Sequence, residues 1–398
     1  MKIASRLSQI KPSPTLAIDA KAKAMKAAGE NVLNFGIGEP DFDTPAFIKE
    51  AAIKAISAGF TKYTPSAGTL GLREAIRDKF LRDNRIDYGV DEILVSCGAK
   101  HSLYNIFMAA IDPGDEVIVP SPYWVSYPPQ IMLAGGVPVF WETTVDDGFL
   151  PDPEKLEHLI TDRTVALVLN SPCNPTGAAY DADLIQRILR IAMRHDLLII
   201  SDEIYEKMVY EGFSHFSPAA LDPEVKAHTV VVNGVSKEFA MTGWRIGYLA
   251  GPKDLVKAMD KIQGQSTSNA TSISQKAAEA ALRGDGREVA LMVAEFDRRR
   301  RLIVDGLNAI PGIRCPVPKG AFYAFADFSA HHGKKTPAGK LIEGSAALSE
   351  YLLDEAKIAA VPGVAFGDDA CQRFSYATST ETISQGLARI REALSRLI

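Results

Sequence analysis

From about Pro45 to Gln275 the chain alternates amphipathic stretches at helical spacing with short apolar runs. The runs are EILVS (92–96), EVIVP (116–120), VALVLN (165–170), LLIISDE (197–203), TVVVNG (229–234) and IGYLAG (246–251). Short runs rich in Val, Ile and Leu, separated by helical segments, predict an α/β fold: a largely parallel sheet covered by helices on both faces. Ligands of such sheets bind beyond the carboxyl ends of the strands. Polar motifs recur at those places, with GAK (98–100) after EILVSC, SPYW (121–124) after EVIVP and SPCNPTG (171–177) after VALVLN. SDEIY (201–205) follows LLII, and Ser236-Lys237 follows TVVVNGV. Beyond about Val289 the pattern changes to one long charged helix, VALMVAEFDRRRRLIVDGLNAI, then short strands and a closing helix, ISQGLARIREALSRLI. That segment reads as a smaller α+β domain.

Length and composition narrow the picture. A chain of 398 residues suits a large domain with a smaller partner, and 46% hydrophobic with 23% charged residues is globular. The net charge of -5 and the scattered basic residues exclude nucleic acid and anionic membrane as expected partners. The one basic run, Arg298–Arg301, reads as a solvated helix face countered by Glu295 and Asp297. Neither a signal peptide nor a membrane span is visible, so a cytoplasmic protein is expected. Cys97, Cys173, Cys315 and Cys371 show no CxxC spacing, which argues against zinc and disulfides; Cys97 and Cys173 lie in ligand-side motifs where oxidation would matter.

The chemistry concentrates in VNGVSKEFAMTGWRIGY (232–248). Lys237 stands in a turn-like setting suited to an amine nucleophile, and Arg245, eight residues on, offers a planar fork for a phosphate. GAKHSLYNIFMAAI places Gly98, Ala99 and Lys100 at a helix start, where free N–H groups and the dipole favour an anion. Asp202 ends an apolar run, and a carboxylate there needs a cation; a protonated pyridine nitrogen is suitable. Together these are the requirements of a pyridoxal phosphate site.

SRLSQIKPSPTLAI, GIGEPDFDTP, YTPSAGTLGLREAI, DPGDEVIVPSPYWVSYP, SPCNPTG, SDEIY, PKGAFYAF, VPGVAFG and RFSYATS follow in order along nearly the whole chain. This series resembles the class I aminotransferases of pyridoxal phosphate fold type I, and most closely the prokaryotic-type aspartate aminotransferases. The resemblance implies a seven-stranded, mostly parallel sheet between helices in a cofactor domain (46–287), and a small domain (288–398). Residues 1–45 would join the small domain and contact a second subunit. It also implies a homodimer, with Lys237 as the Schiff-base lysine, Asp202 on the pyridine nitrogen, and Asn174 and Tyr205 on the phenolic oxygen. Trp124 would stack on the cofactor ring, and Tyr63 would reach the neighbouring subunit's phosphate. Arg373 and Gly38 would hold the substrate α-carboxylate. One departure is Gly234, where many relatives carry a serine hydroxyl; Ser236 stands nearby.

For substrate choice, STSN (266–269) lacks the arginine with which eukaryotic-type relatives bind the distal carboxylate. The resemblance gives that role to Lys100, helped by Ser13 and Thr15. A lysine with hydroxyls holds a carboxylate less rigidly than an arginine fork, which admits a larger dicarboxylate such as prephenate. The expected reaction is transamination between aspartate and 2-oxoglutarate, with prephenate or aromatic amino acids as the alternative. A cysteine-conjugate β-lyase shares every residue except the acidic selector. A transcription regulator would need a DNA-binding module ahead of SRLSQIKPSP, where only MKIA stands.

Overall fold

The protein is seen in a computed structural model that describes residues 2–10 and 14–398, the side chains of 14–16 excepted. The described strands in chain order are β1 (Leu33–Asn34), β2 (Ile93–Ser96), β3 (Glu116–Ser121), β4 (Val137–Glu142), β5 (Thr164–Asn170) and β6 (Leu198–Asp202). They continue with β7 (Thr229–Gly234), β8 (Gly247–Ala250), β9 (Tyr323–Asp327), β10 (Ile358–Ala359), β11 (Val361–Pro362) and β12 (Cys371–Ser375). Seven form one sheet in the order β2-β8-β7-β6-β5-β3-β4, parallel except for β8, which runs against both neighbours.

All six apolar runs became strands of this sheet. Their continuous apolarity has a direct cause: on β7, Val230 and Val232 pack with the cluster of Leu103, Phe107 and Met259 on one face, while Val231 packs on the other. The seventh strand, β4, lies at one edge of the sheet and buries a single residue. Val137 is 47% exposed and Trp141 is fully buried. Its apolar stretch, VPVFW (137–141), contains Pro138, which cannot donate to a ladder and so argues against a strand in sequence, yet is tolerated at a sheet edge.

The C-terminal part holds the long helix Arg287–Asn308, the antiparallel sheet β11-β12-β9 and two further helices, Ser345–Ala356 and Thr380–Ser395. The N-terminal region joins it: β1 pairs with β10, and Ala22 and Val32 are buried against Leu353 and Ala359. The basic run needs a correction. Arg298 and Arg301 are exposed and pair with Glu295 and Asp297 as expected, but Arg299 and Arg300 are buried. Arg300 binds Glu211, Asp297 and the Pro318 carbonyl, and Arg299 binds Asp41 and Glu295. Four adjacent residues sweep about 300° around the helix axis, so they cannot all face solvent on a packed helix.

Candidate active site

The sheet topology gathers the predicted residues. β5, β6 and β7 end at Asn170, Asp202 and Gly234 on one edge. Because β8 is antiparallel, its start at Gly247 lies beside Gly234 and Ser96, so Arg245 arrives at that edge as well. A cavity of about 370 Å³ opens there. It is lined by Gly38, Ala99, Lys100, Trp124, Asn174, Asp202, Tyr205, Lys237, Arg245 and Arg373, all predicted from sequence.

Gly98 caps the helix Ala99–Ala110 at φ +91°, a conformation glycine adopts without strain. A Cβ there would also strike the Arg245 guanidinium. Absence of the side chain therefore lets the arginine lie against the helix start, where Arg245 donates to the Cys97 carbonyl (3.3 Å) and to the Thr242 carbonyl (2.8 Å). The result is a cradle for an anion, built from a guanidinium and the first N–H groups of a helix. At Gly234 a Cβ would approach the Gly247 Cα to 3.0 Å, while Ser236 lines the cavity.

Lys237 and Asp202 are displaced from their usual protonation in opposite directions. Burial pushes the Lys237 ammonium down to about 8; Arg373 and Arg245 push the same way, against Glu39 and Asp202. Its Nζ donates to the Gly38 carbonyl at 2.5 Å. Burial lifts the Asp202 carboxyl to about 6, opposed by hydrogen bonds from the Tyr127 hydroxyl (2.7 Å) and the Ile204 N–H. An amine that loses its proton easily thus shares a cavity with a carboxylate that lacks a full counter-charge.

Arg373 is buried on β12. Its Nη1 donates to Asn174 Oδ1 (2.9 Å) and its Nη2 to the Gly36 carbonyl (2.8 Å), while Nε has no partner among the described residues. The guanidinium lies 4.6 Å from the Tyr323 ring centroid and 4.9 Å from that of Phe366. Tyr205 bonds hydroxyl to hydroxyl with Tyr323 at 2.8 Å. Lys100 Nζ sits 5.0 Å over the Trp124 ring, and burial, with Arg245 adding, lowers its affinity for a proton.

Some predicted residues stand apart. Tyr63 is 90% exposed and does not line the cavity. Ser13 and the side chain of Thr15 lie outside the described residues. Conversely, Tyr127, Asn170 and Tyr323 take part in the site in addition to the residues expected from the sequence. Asn170 accepts the Asn174 N–H at 3.0 Å and donates to the Asp202 carbonyl at 3.1 Å. Their motifs, VSYP, LVLN and GAFYAF, were visible, but a second row of hydrogen bonds leaves no spacing of its own.

Residues 30–390 match the family described as aminotransferase class I and II. The chain is 50% identical to an aspartate aminotransferase of Geobacillus stearothermophilus over 98% of each sequence. It is 46% identical to an aspartate/prephenate aminotransferase of Nitrosomonas europaea, over 99% of this chain and 100% of that one. Among solved structures, the aspartate aminotransferase of Rhizobium meliloti superposes with a TM-score of 0.96 at 48% identity, each chain covered completely.

Proposed function

Because the chain belongs to the class I and II aminotransferases, we propose that it binds pyridoxal phosphate and transfers the amino group of L-aspartate to 2-oxoglutarate in a ping-pong cycle. The observation that carries the reading is the meeting of Lys237, Asp202 and Arg373 in one cavity, beside the anion cradle of Gly98, Ala99, Lys100 and Arg245. The donor set fits the cofactor: the cradle suits its phosphate, and Asp202, buried without a full counter-charge, suits a protonated ring nitrogen. When bound, the cofactor supplies a ring that accepts the electron pair left when a substrate Cα loses its proton.

The chain's own residues do the rest. Lys237 would hold the cofactor, and its Nζ, once free, would take the substrate Cα proton; a lowered proton affinity makes the free amine available near neutral pH. Asn174 and Tyr205, which line the cavity, would bind the phenolic oxygen, and Trp124 would cover the ring. Arg373, with the Gly38 backbone, binds the substrate α-carboxylate, for which the unpartnered Nε and the buried setting favour a charge-assisted bond. Lys100, Ser13 and Thr15 select a distal carboxylate. In this reading Tyr63, projecting into solvent, serves the partner subunit of a homodimer. The cytoplasmic setting and the division into residues 1–45, 46–287 and 288–398 belong to the same reading. No described helix is long and apolar enough to cross a membrane.

One observation favours prephenate as a second partner. The Lys100 ammonium rests over Trp124 and forms no ion pair among the described residues, so it is free to follow a larger dicarboxylate. The test is glutamate formation from 2-oxoglutarate with aspartate, phenylalanine and a cysteine S-conjugate as donors, and prephenate consumption with aspartate as donor. Turnover led by aspartate supports the reading; release of pyruvate and ammonia from the conjugate without glutamate formation would replace it with a β-lyase.

A further inference from the structure

The helix Pro14–Ala27 places one carboxylate on the wall of the substrate cavity, that of Asp19. Its Oδ2 pairs with Lys23 at 2.7 Å, an ordinary contact one helical turn away. Its Oδ1 does something the helix does not require: it accepts a 2.9 Å hydrogen bond from Asn34 Nδ2 on β1. Asn34 Oδ1 in turn accepts the Gly36 N–H at 2.9 Å, and the Gly36 carbonyl accepts Arg373 Nη2 at 2.8 Å. A continuous relay therefore runs from the N-terminal helix to the buried guanidinium.

Each link restricts the next. A charged acceptor makes the Asn34 bond stronger than a neutral one and polarises the amide that holds Gly36. Gly36 is confined from the side as well, since a Cβ there would meet Asn34 Oδ1 at 3.3 Å and Val361 at 3.5 Å. Ile18, immediately before Asp19, packs against the cluster containing Val361, and Ala22 packs with Leu353 and Ala359. The seating of the helix and the orientation of Arg373 are thus mechanically one arrangement.

We propose that Asp19 is a positioning residue for carboxylate recognition: through Asn34 and Gly36 it fixes the plane of the Arg373 guanidinium and ties it to the docked N-terminal helix. This rests on the reading that Arg373 takes the substrate α-carboxylate. Asp19 itself touches no reacting atom. Its loss disturbs the binding of carboxylates and leaves the amine chemistry at Lys237 in place.

The experiment is calorimetric titration of the holoenzyme with maleate, a dicarboxylate that cannot react. Asp19→Ala should bind it about 5- to 10-fold more weakly, the worth of one hydrogen bond. Asp19→Asn keeps an oxygen for Asn34 and should stay within about twofold of wild type. Asn34→Ala should weaken binding like Asp19→Ala, and the double variant should lose nothing further, because both cut the same path. In turnover, KM for aspartate should rise more than kcat falls. Ethylamine, which has no carboxylate, should perturb the cofactor absorbance of Asp19→Ala and of wild type at equal concentrations. Wild-type maleate affinity in both Asp19→Ala and Asn34→Ala would overturn the relay, as would an equal loss for ethylamine. Arg373→Lys run alongside separates the two claims: if it weakens maleate while the relay variants do not, only the relay fails. If it too leaves maleate unaffected, the reading of Arg373 fails and the relay with it.

Discussion

The Tyr127 hydroxyl donates to the Asp202 carboxylate at 2.7 Å, and both groups are buried. That bond is the main local force keeping Asp202 ionisable, since burial alone drives its carboxyl upward. Tyr127→Phe should raise the Asp202 pKa above its present value of about 6 and weaken cofactor retention by about tenfold, the lower range for a hydrogen bond to a charged group. Equilibrium dialysis of the cofactor against pH checks this; the deficit should be largest at acidic pH, where the unassisted carboxyl is protonated first.

Glu238 directly follows Lys237 and lines a second cavity of about 350 Å³ with Lys79 and Lys207. Burial, reinforced by Glu206, raises its carboxyl to about 8, while Lys79 and Lys207 pull it back. A folded-state pKa above the unfolded value means the native state binds the extra proton between about pH 4.5 and 8, so this stabilisation is lost as pH rises through 8. Glu238→Gln should therefore match wild type at pH 5 and exceed it at pH 9 by about 1 kcal/mol or more, measured by denaturant unfolding.

Lys100→Ala should weaken aspartate and glutamate binding by about 1.5 to 3 kcal/mol, while an aromatic donor loses much less. Since burial lowers the proton affinity of this lysine, the preference for acidic donors should fade with rising pH sooner than an ordinary lysine would allow. Half-reaction rates for each donor, with cofactor affinity measured in parallel, distinguish a substrate role from a phosphate role.

Arg300 has no exposed surface and is held by Glu211, Asp297 and the Pro318 carbonyl. Arg300→Ala should cost about 3 kcal/mol in urea unfolding, because Glu211, Asp297 and the Pro318 carbonyl lose a charged donor and the buried side chain leaves a void. A value near zero would mean the group is dispensable to the fold.

Arg300 also marks what the sequence conceals. Four consecutive arginines look alike in one dimension, and only the packing of the helix Arg287–Asn308 divides them into exposed and buried pairs. The β-strands buried on both faces were legible because a short apolar run must be covered on every side, whereas in Val137–Glu142 a proline interrupts the run and hides the strand. Residues placed just beyond strand ends, among them Asp202, Asn174 and Lys237, could be read because topology sends them to one edge. Tyr127, Asn170, Tyr323 and Asp19 act through other residues, and their partners lie 75, 32, 118 and 15 residues away. Contacts that distant appear only once the chain is folded.

Everything proposed for the site depends on Lys237 carrying the cofactor and moving the Cα proton. Borohydride reduction of the holoenzyme, followed by peptide mapping, tests this directly. The expected result is a single pyridoxyl label on Lys237, and in Lys237→Ala no label there and no turnover with aspartate, although the cofactor is still retained through Asp202 and Arg245. A label on another lysine of the wild type, or transamination surviving in Lys237→Ala, would contradict it.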